Sequence, residues 1–251
     1  MPIELGYAWL MVFLRGLGVI LLFPTLAGRT LPAMVRVALS ACLASLFYGL
    51  VPHGSIPVTH GGLIAAAAGE VILGLVFGFV GRLAFAAVEL GGRLIANEIG
   101  LTAAPGFDAP QPAQEPVAAL MSMFAGVLFF VFGAHFGVLS AFARSFDLSP
   151  AGLPNLGEGS MLLMVKETGR VIELGFRIAA PFIGLNFLIN LAFSVLGRAV
   201  PRMNVFILSY SVRLLAGFGL FSGAGALVAR YLWVEFDGLP FRLLELLPPV
   251  N

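Results

Sequence analysis

Residues Gly61–Leu90 read GGLIAAAAGEVILGLVFGFVGRLAFAAVEL, a run with charges only at Glu70, Arg82 and Glu89. A bilayer core of about 30 Å needs about 20 mainly apolar residues in helical form, and this run exceeds that length. It lacks the apolar–polar alternation of a strand, and a backbone in lipid must satisfy its own N–H and C=O groups. The run therefore reads as a helix. At about 100° per residue, Arg82 and Glu89 fall on one stripe that Arg93 continues, and Gly74, Gly78, Gly81 and Gly92 fall on a neighbouring one. The Gly74-x-x-x-Gly78 spacing fits close approach of a second helix. The ordinary glycine content of membrane helices fits it equally well.

Five further apolar runs accompany it: Leu5–Phe23, Leu31–Val51, Val117–Ala143, Val171–Leu196 and Val205–Val234. The whole chain has 251 residues, 59% hydrophobic and 11% charged, with a mean hydropathy of +1.00. Soluble domains carry about 25% charged residues, so a water-exposed globule is excluded. The expectation is one all-α membrane domain, residues 1–251, with about six hydrophobic helical segments. The net charge of +1 provides no basic stripe for phosphate backbones, so no nucleic-acid partner is expected. The single cysteine, Cys42, excludes an internal disulfide and a multi-cysteine metal site. Glu4 replaces the basic start of a signal peptide, and Arg15 interrupts the first run, so that run is expected to be retained.

Four runs hold charges near their middle: Arg15, Glu70 with Arg82, Arg177, and Arg213. Such groups are costly against lipid and usually face protein or water, which implies partner subunits over much of the surface. Lys166, Arg170, Glu173 and Arg177 share one helical face, and Pro181 is expected to kink the helix that follows. Asn186 and Asn190 are spaced to bond a neighbouring helix. Basic residues divide almost evenly between alternate connections, so charge bias sets no orientation.

Catalysis finds no support. The histidines are His53 and His60 in one loop and His135 within an apolar run, and neither H-E-x-x-H, G-x-S-x-G nor a P-loop occurs. No metal or cofactor is expected, and His135 is expected to bond a neighbouring helix. The most distinctive connection is Gly100–Pro116, GLTAAPGFDAPQPAQEP, whose four prolines exclude a long helix. It reads either as irregular backbone filling a cavity or as an ordinary surface loop.

Four blocks together resemble the FliR family of flagellar export-gate proteins, whose injectisome counterpart is SctT. They are Arg29–Pro32 with Arg36; Glu70–Ala104 followed by Phe107-Asp108; Phe129–Gly152; and GRAVPRMNVF, Gly197–Phe206. The chain departs from the family pattern at Ile99, at the spacing of Asp108 and Pro110, at Gly133-Ala134, and at Arg202 and Ser211.

The resemblance implies a core subunit of the flagellar type III secretion export gate, in the inner membrane at the basal body. It would work with FliP, FliQ and FlhB homologues and pass unfolded flagellar proteins without catalysis or cofactor. It also implies a FliP-like portion, about residues 1–190, followed by a FliQ-like hairpin, about 191–251. The plug loop would then hold Gly100, Pro105, Gly106, Phe107, Asp108 and Pro110, with Phe107 and Asp108 at its tip. Candidate subunit contacts are Glu70, Arg82, Arg198, Pro201, Asn204, Phe206 and Arg213. The rival is a small-molecule or ion transporter, which midplane charges and glycine seams also fit; the two halves of the chain lack a convincing inverted repeat.

Overall fold

The computed structural model describes residues 2–23, 32–101, 116–200 and 204–248. They form α1 (Pro2–Leu22), α2 (Ala33–Phe47), α3 (His60–Glu98), α4 (Pro116–Val131), α5 (Ala134–Leu148), α6 (Ser160–Ala199), α7 (Val205–Asp237) and α8 (Leu239–Glu245). The fold is all-α, and among the described residues four helices are long and apolar enough to cross a membrane, or five if α4 and α5 count as one bent span.

Three of the six expected runs change shape. The second shortens to the 15 residues of α2, about 22 Å at 1.5 Å per residue and less than a bilayer core. The fourth breaks into α4 and α5, bent by 70°. Its hinge is Gly133, whose φ of +70 ends one helix in the left-handed conformation that glycine adopts without strain. The fifth runs on through Pro181 as the uninterrupted 40-residue α6. That helix and the 39-residue α3 are each about 60 Å long, twice the hydrocarbon thickness.

α3 is the axis of the molecule, packing on α1, α4 and α6, while α7 packs on α6 and α8 on α5. Thr59 starts it, its hydroxyl accepting from the Gly62 N–H at 3.1 Å. The glycine stripe is a packing seam. A Cβ on Gly74 would stand 2.2 Å from the Arg15 carbonyl oxygen, one on Gly78 2.5 Å from that of Val19, and one on Gly18 2.6 Å from that of Val71. α1 and α3 thus meet backbone to backbone, as small residues permit. On the other sides of α3, Gly92 admits Ala118 of α4 and Gly91 admits Ile178 of α6. Phe85, Phe129 and Phe236 stack edge and face at 5.3–5.5 Å where α3, α4 and α7 converge.

Burial is uneven. The apolar windows of α1 and α3 are 44% and 39% buried, those of α6 and α7–α8 only 22% and 17%. The α6–α7 hairpin thus leaves most of its apolar surface open to lipid or to other subunits. The expected division near residue 190 falls inside α6, which is continuous from Ser160.

Candidate functional site

Two mid-run charges of opposite sign meet inside the protein. The Arg15 Nε donates to Glu70 Oε2 at 2.6 Å and its Nη2 to Oε1 at 3.0 Å, with both side chains wholly buried. Two further guanidinium N–H groups donate to Ser145 Oγ at 2.9 Å and to the Ser149 carbonyl at 2.8 Å. The guanidinium carbon lies 3.9 Å from the centre of the Phe146 ring. Glu70 Oε1 also accepts from the Gly152 N–H at 2.8 Å. One charge pair therefore joins α1, α3, α5 and the turn after α5. The Pro52 carbonyl accepts from Ala151 N–H at 3.0 Å, tying the loop before α3 to the same turn. A buried pair needs further hydrogen bonds to support it, and Ser145, Ser149 and Gly152 supply three. Glu70, expected at a subunit contact, is interior and its carboxylate reaches no surface.

A second buried cluster lies at the chain's far end. Arg242 of α8 donates to Glu167 Oε2 of α6 at 2.7 Å and to the carboxylate and carbonyl of Glu235 on α7. The cluster ties α6, α7 and α8 together at one buried point.

The third polar assembly stands at the root of the proline-rich connection. α3 ends at Ile99 and Gly100, where φ is +86, and Leu101 N–H closes back on the Ala96 carbonyl at 2.9 Å. This is a left-handed glycine cap. A Cβ on Gly100 would stand 3.0 Å from the Tyr210 ring, and one on Gly217 2.3 Å from Ile99, so α7 is pressed on the cap. Beside it the Asn186 amide donates to Glu98 Oε2 at 2.5 Å and the Asn190 amide to Asn186 Oδ1 at 3.3 Å. Arg213 donates to Asn190 Oδ1. The chain Glu98–Asn186–Asn190–Arg213 links α3, α6 and α7 directly beneath the point where the backbone leaves for residue 102.

Of the expected plug residues, Gly100 lies in this cap, while Pro105, Gly106, Phe107, Asp108 and Pro110 lie outside the described residues, as does Pro201. Arg82 is exposed on α3, and Arg198 is exposed near the end of α6. Asn204 has a local role, capping α7 by accepting from the Ile207 N–H at 3.4 Å. Phe206 lies in the first turn of α7. Arg213 is half-buried, and its partner is the neutral Asn190. Arg213→Leu is expected to lower stability by about 1 kcal/mol, less than the roughly 1.5–3 kcal/mol of a buried charged hydrogen bond because the contact is partly exposed. Thermal unfolding in detergent checks this; an unchanged midpoint would remove the polar chain from the energetics.

His135 corrects another expectation: its Nδ1 is buried without a hydrogen-bond partner, and its ring stacks among Phe130 and Phe136 at 5.2 and 4.0 Å. His53 pairs its backbone with Ala151 in an isolated bridge. Among the described residues no group of three or more His, Cys, Asp or Glu side chains converges as a metal site would. Neither Glu98 nor Arg242 was picked out from sequence, since each lies near a helix end, outside the middle of an apolar run. Arg15 and Glu70 were visible as costly charges, and their opposite signs were the available signal that they pair.

The sequence model for the bacterial export proteins, family 1, matches residues 7–238. The chain is 28% identical to the flagellar biosynthetic protein FliR of Escherichia coli, over 98% of this chain and 97% of that one. It is 25% identical to FliR of Bacillus subtilis, over 86% and 85%. It is also 28% identical to the Yop proteins translocation protein T of Yersinia pestis, over 57% and 56%.

Proposed function

We propose, from the premise that this chain belongs to the bacterial export proteins, family 1, and is a membrane-embedded component of the flagellar type III secretion export apparatus, that it is a core gate subunit whose loop Gly100–Pro116 closes the export channel. The gate would sit in the inner membrane at the basal body, assembled with FliP, FliQ and FlhB homologues. Unfolded flagellar proteins would pass through it in extended form, and the chain itself would perform no catalytic step.

The observation that carries this reading is the anchoring at both ends of the segment. It departs from the Gly100 cap, held under Tyr210 and beside the Glu98–Arg213 polar chain. It returns at Pro116, where Ala118 is seated on Gly92 of the same helix. The two ends that flank the proline-rich connection are thereby both fixed to α3. Arg198, Pro201, Asn204 and Phe206 cluster in sequence and would contact a neighbouring subunit; Arg198 and Asn204 are exposed, and Arg82 is exposed on α3. The FliQ-like portion, about residues 191–251, would take the end of α6 with α7 and α8, and the open apolar faces of α6 and α7 supply area for contacts with other subunits.

The test is co-expression of the tagged chain with the FliP and FliQ proteins of the same organism, purification in mild detergent and mass measurement. A single assembly containing all three is expected. A monomer or homodimer free of both would refute the gate reading.

A further inference from the structure

Between α6 and α7, at the end where α6 begins and α7 finishes, lies an open groove of about 760 Å³. Lys166, Arg170 and Arg177 line it from α6 and Arg230 from α7, together with the carboxylates of Glu173 and Glu235. Both carboxylates are already matched. Glu173 pairs with Arg177 at 2.6 Å. Glu235 holds the buried Arg242 and takes Arg170 at 3.4 Å. Lys166 and Arg230 are left, each without an ion-pair partner among the described residues.

The surroundings say what kind of anion suits them. Leu227 and Val234 on α7 are exposed apolar side chains that line the groove, and Tyr231 lines it with them. Basic side chains beside a tyrosine, at the end of apolar helices, match the composition of a membrane–water interface. There the long stems of Lys and Arg lie along apolar surface while their heads reach phosphate depth. Basic pockets between membrane helices take anionic headgroups, and the volume lies within the usual range for one bound small molecule.

We propose that Lys166 and Arg230, lining this groove from opposite helices, bind the phosphate of an anionic phospholipid headgroup. The site is independent of the channel reading, since it needs only the hairpin and a bilayer.

The full chain, purified in non-ionic detergent, is offered phosphatidylglycerol or phosphatidylcholine and weighed by native mass spectrometry. Retention of the anionic lipid over the zwitterionic one is expected. K166Q/R230Q should hold it about thirtyfold less tightly, as about 1 kcal/mol per basic residue gives for two of them. The charge-preserving K166R/R230K should retain it, which separates loss of charge from misfolding. Excess inorganic phosphate should leave the lipid in place; displacement would assign the groove to free phosphate and overturn the lipid source. Equal retention of both lipids, or no effect of K166Q/R230Q, overturns the proposal. So does a K166Q/R230Q chain that keeps its lipid but no longer co-purifies with partner subunits, which would make the groove a protein contact.

Discussion

Glu70→Ala is expected to leave almost no folded chain in the membrane. The substitution strands the Arg15 guanidinium in a site where both side chains have no solvent exposure, with Ser145 Oγ, the Ser149 carbonyl and the Phe146 ring as its remaining company. Removing one partner of a buried ion pair costs about 3–5 kcal/mol, a large part of the roughly 5–15 kcal/mol that holds an ordinary domain together. The Gly152 N–H loses its acceptor as well, adding about 1–3 kcal/mol for an unsatisfied buried donor. The double variant Arg15→Met/Glu70→Leu is expected to recover most of the loss, because an apolar pair of similar volume replaces both charges. Recovery will be incomplete where the Ser149 carbonyl and Gly152 N–H stay unpaired. Quantitative immunoblotting of membranes, with size-exclusion profiles in detergent, checks both variants. Accumulation of Glu70→Ala at the level of the parent chain would mean that the pair does not organise the fold.

Gly74→Val should be nearly as damaging for a different reason. The added Cβ would stand 2.2 Å from the Arg15 carbonyl oxygen and 3.0 Å from the Gly18 Cα. Both are backbone atoms of a packed helix, so no rotamer change relieves the clash and α1 must move away from α3. Overpacking typically costs about 1–3 kcal/mol and sometimes more, and the upper end is expected here because separation also stretches the Arg15–Glu70 bond between the same two helices. The losses from Gly74→Val and Glu70→Ala should therefore fall short of additive when combined. Gly223→Ala is the matched control: a Cβ there meets nothing within 4 Å, and alanine is favoured over glycine in a helix by about 0.5–1 kcal/mol. Thermal unfolding in detergent should show Gly74→Val well below the parent and Gly223→Ala at or slightly above it.

The all-α membrane character was legible because length and hydropathy are summed over many residues. The seam of α3 was half legible: the spacing of Gly74 and Gly78 allowed close approach as one of two equal readings, and nothing in it said that α1 would supply the other side through Gly18. Partners were the illegible part. Arg15 and Glu70 lie 55 positions apart, and Glu98 and Asn186 lie 88 apart; no local period connects such pairs. The hinge at Gly133 escaped notice because apolar side chains continue across it while only the backbone changes hand. Arg242 escaped because it follows the last apolar run. The tip of the proline-rich segment, Phe107 and Asp108, lies outside the described residues, and its role as a plug rests on family resemblance and on the anchored roots at Gly100 and Ala118.

The most direct test of loop closure is the ion conductance of the assembled complex after deletion of residues 102–109. Gly92, against which Ala118 is seated, and Gly100 are eight residues apart on α3, about 12 Å along its axis. The six residues left between Leu101 and Pro116 can span about 20 Å when extended. The shortened segment can therefore still join its two roots, and the complex should be recovered in normal amount. In planar bilayers this complex should show a steady ionic leak where the intact one is closed. Recovery of a complete assembly whose conductance matches the intact complex would contradict a channel closed by this loop.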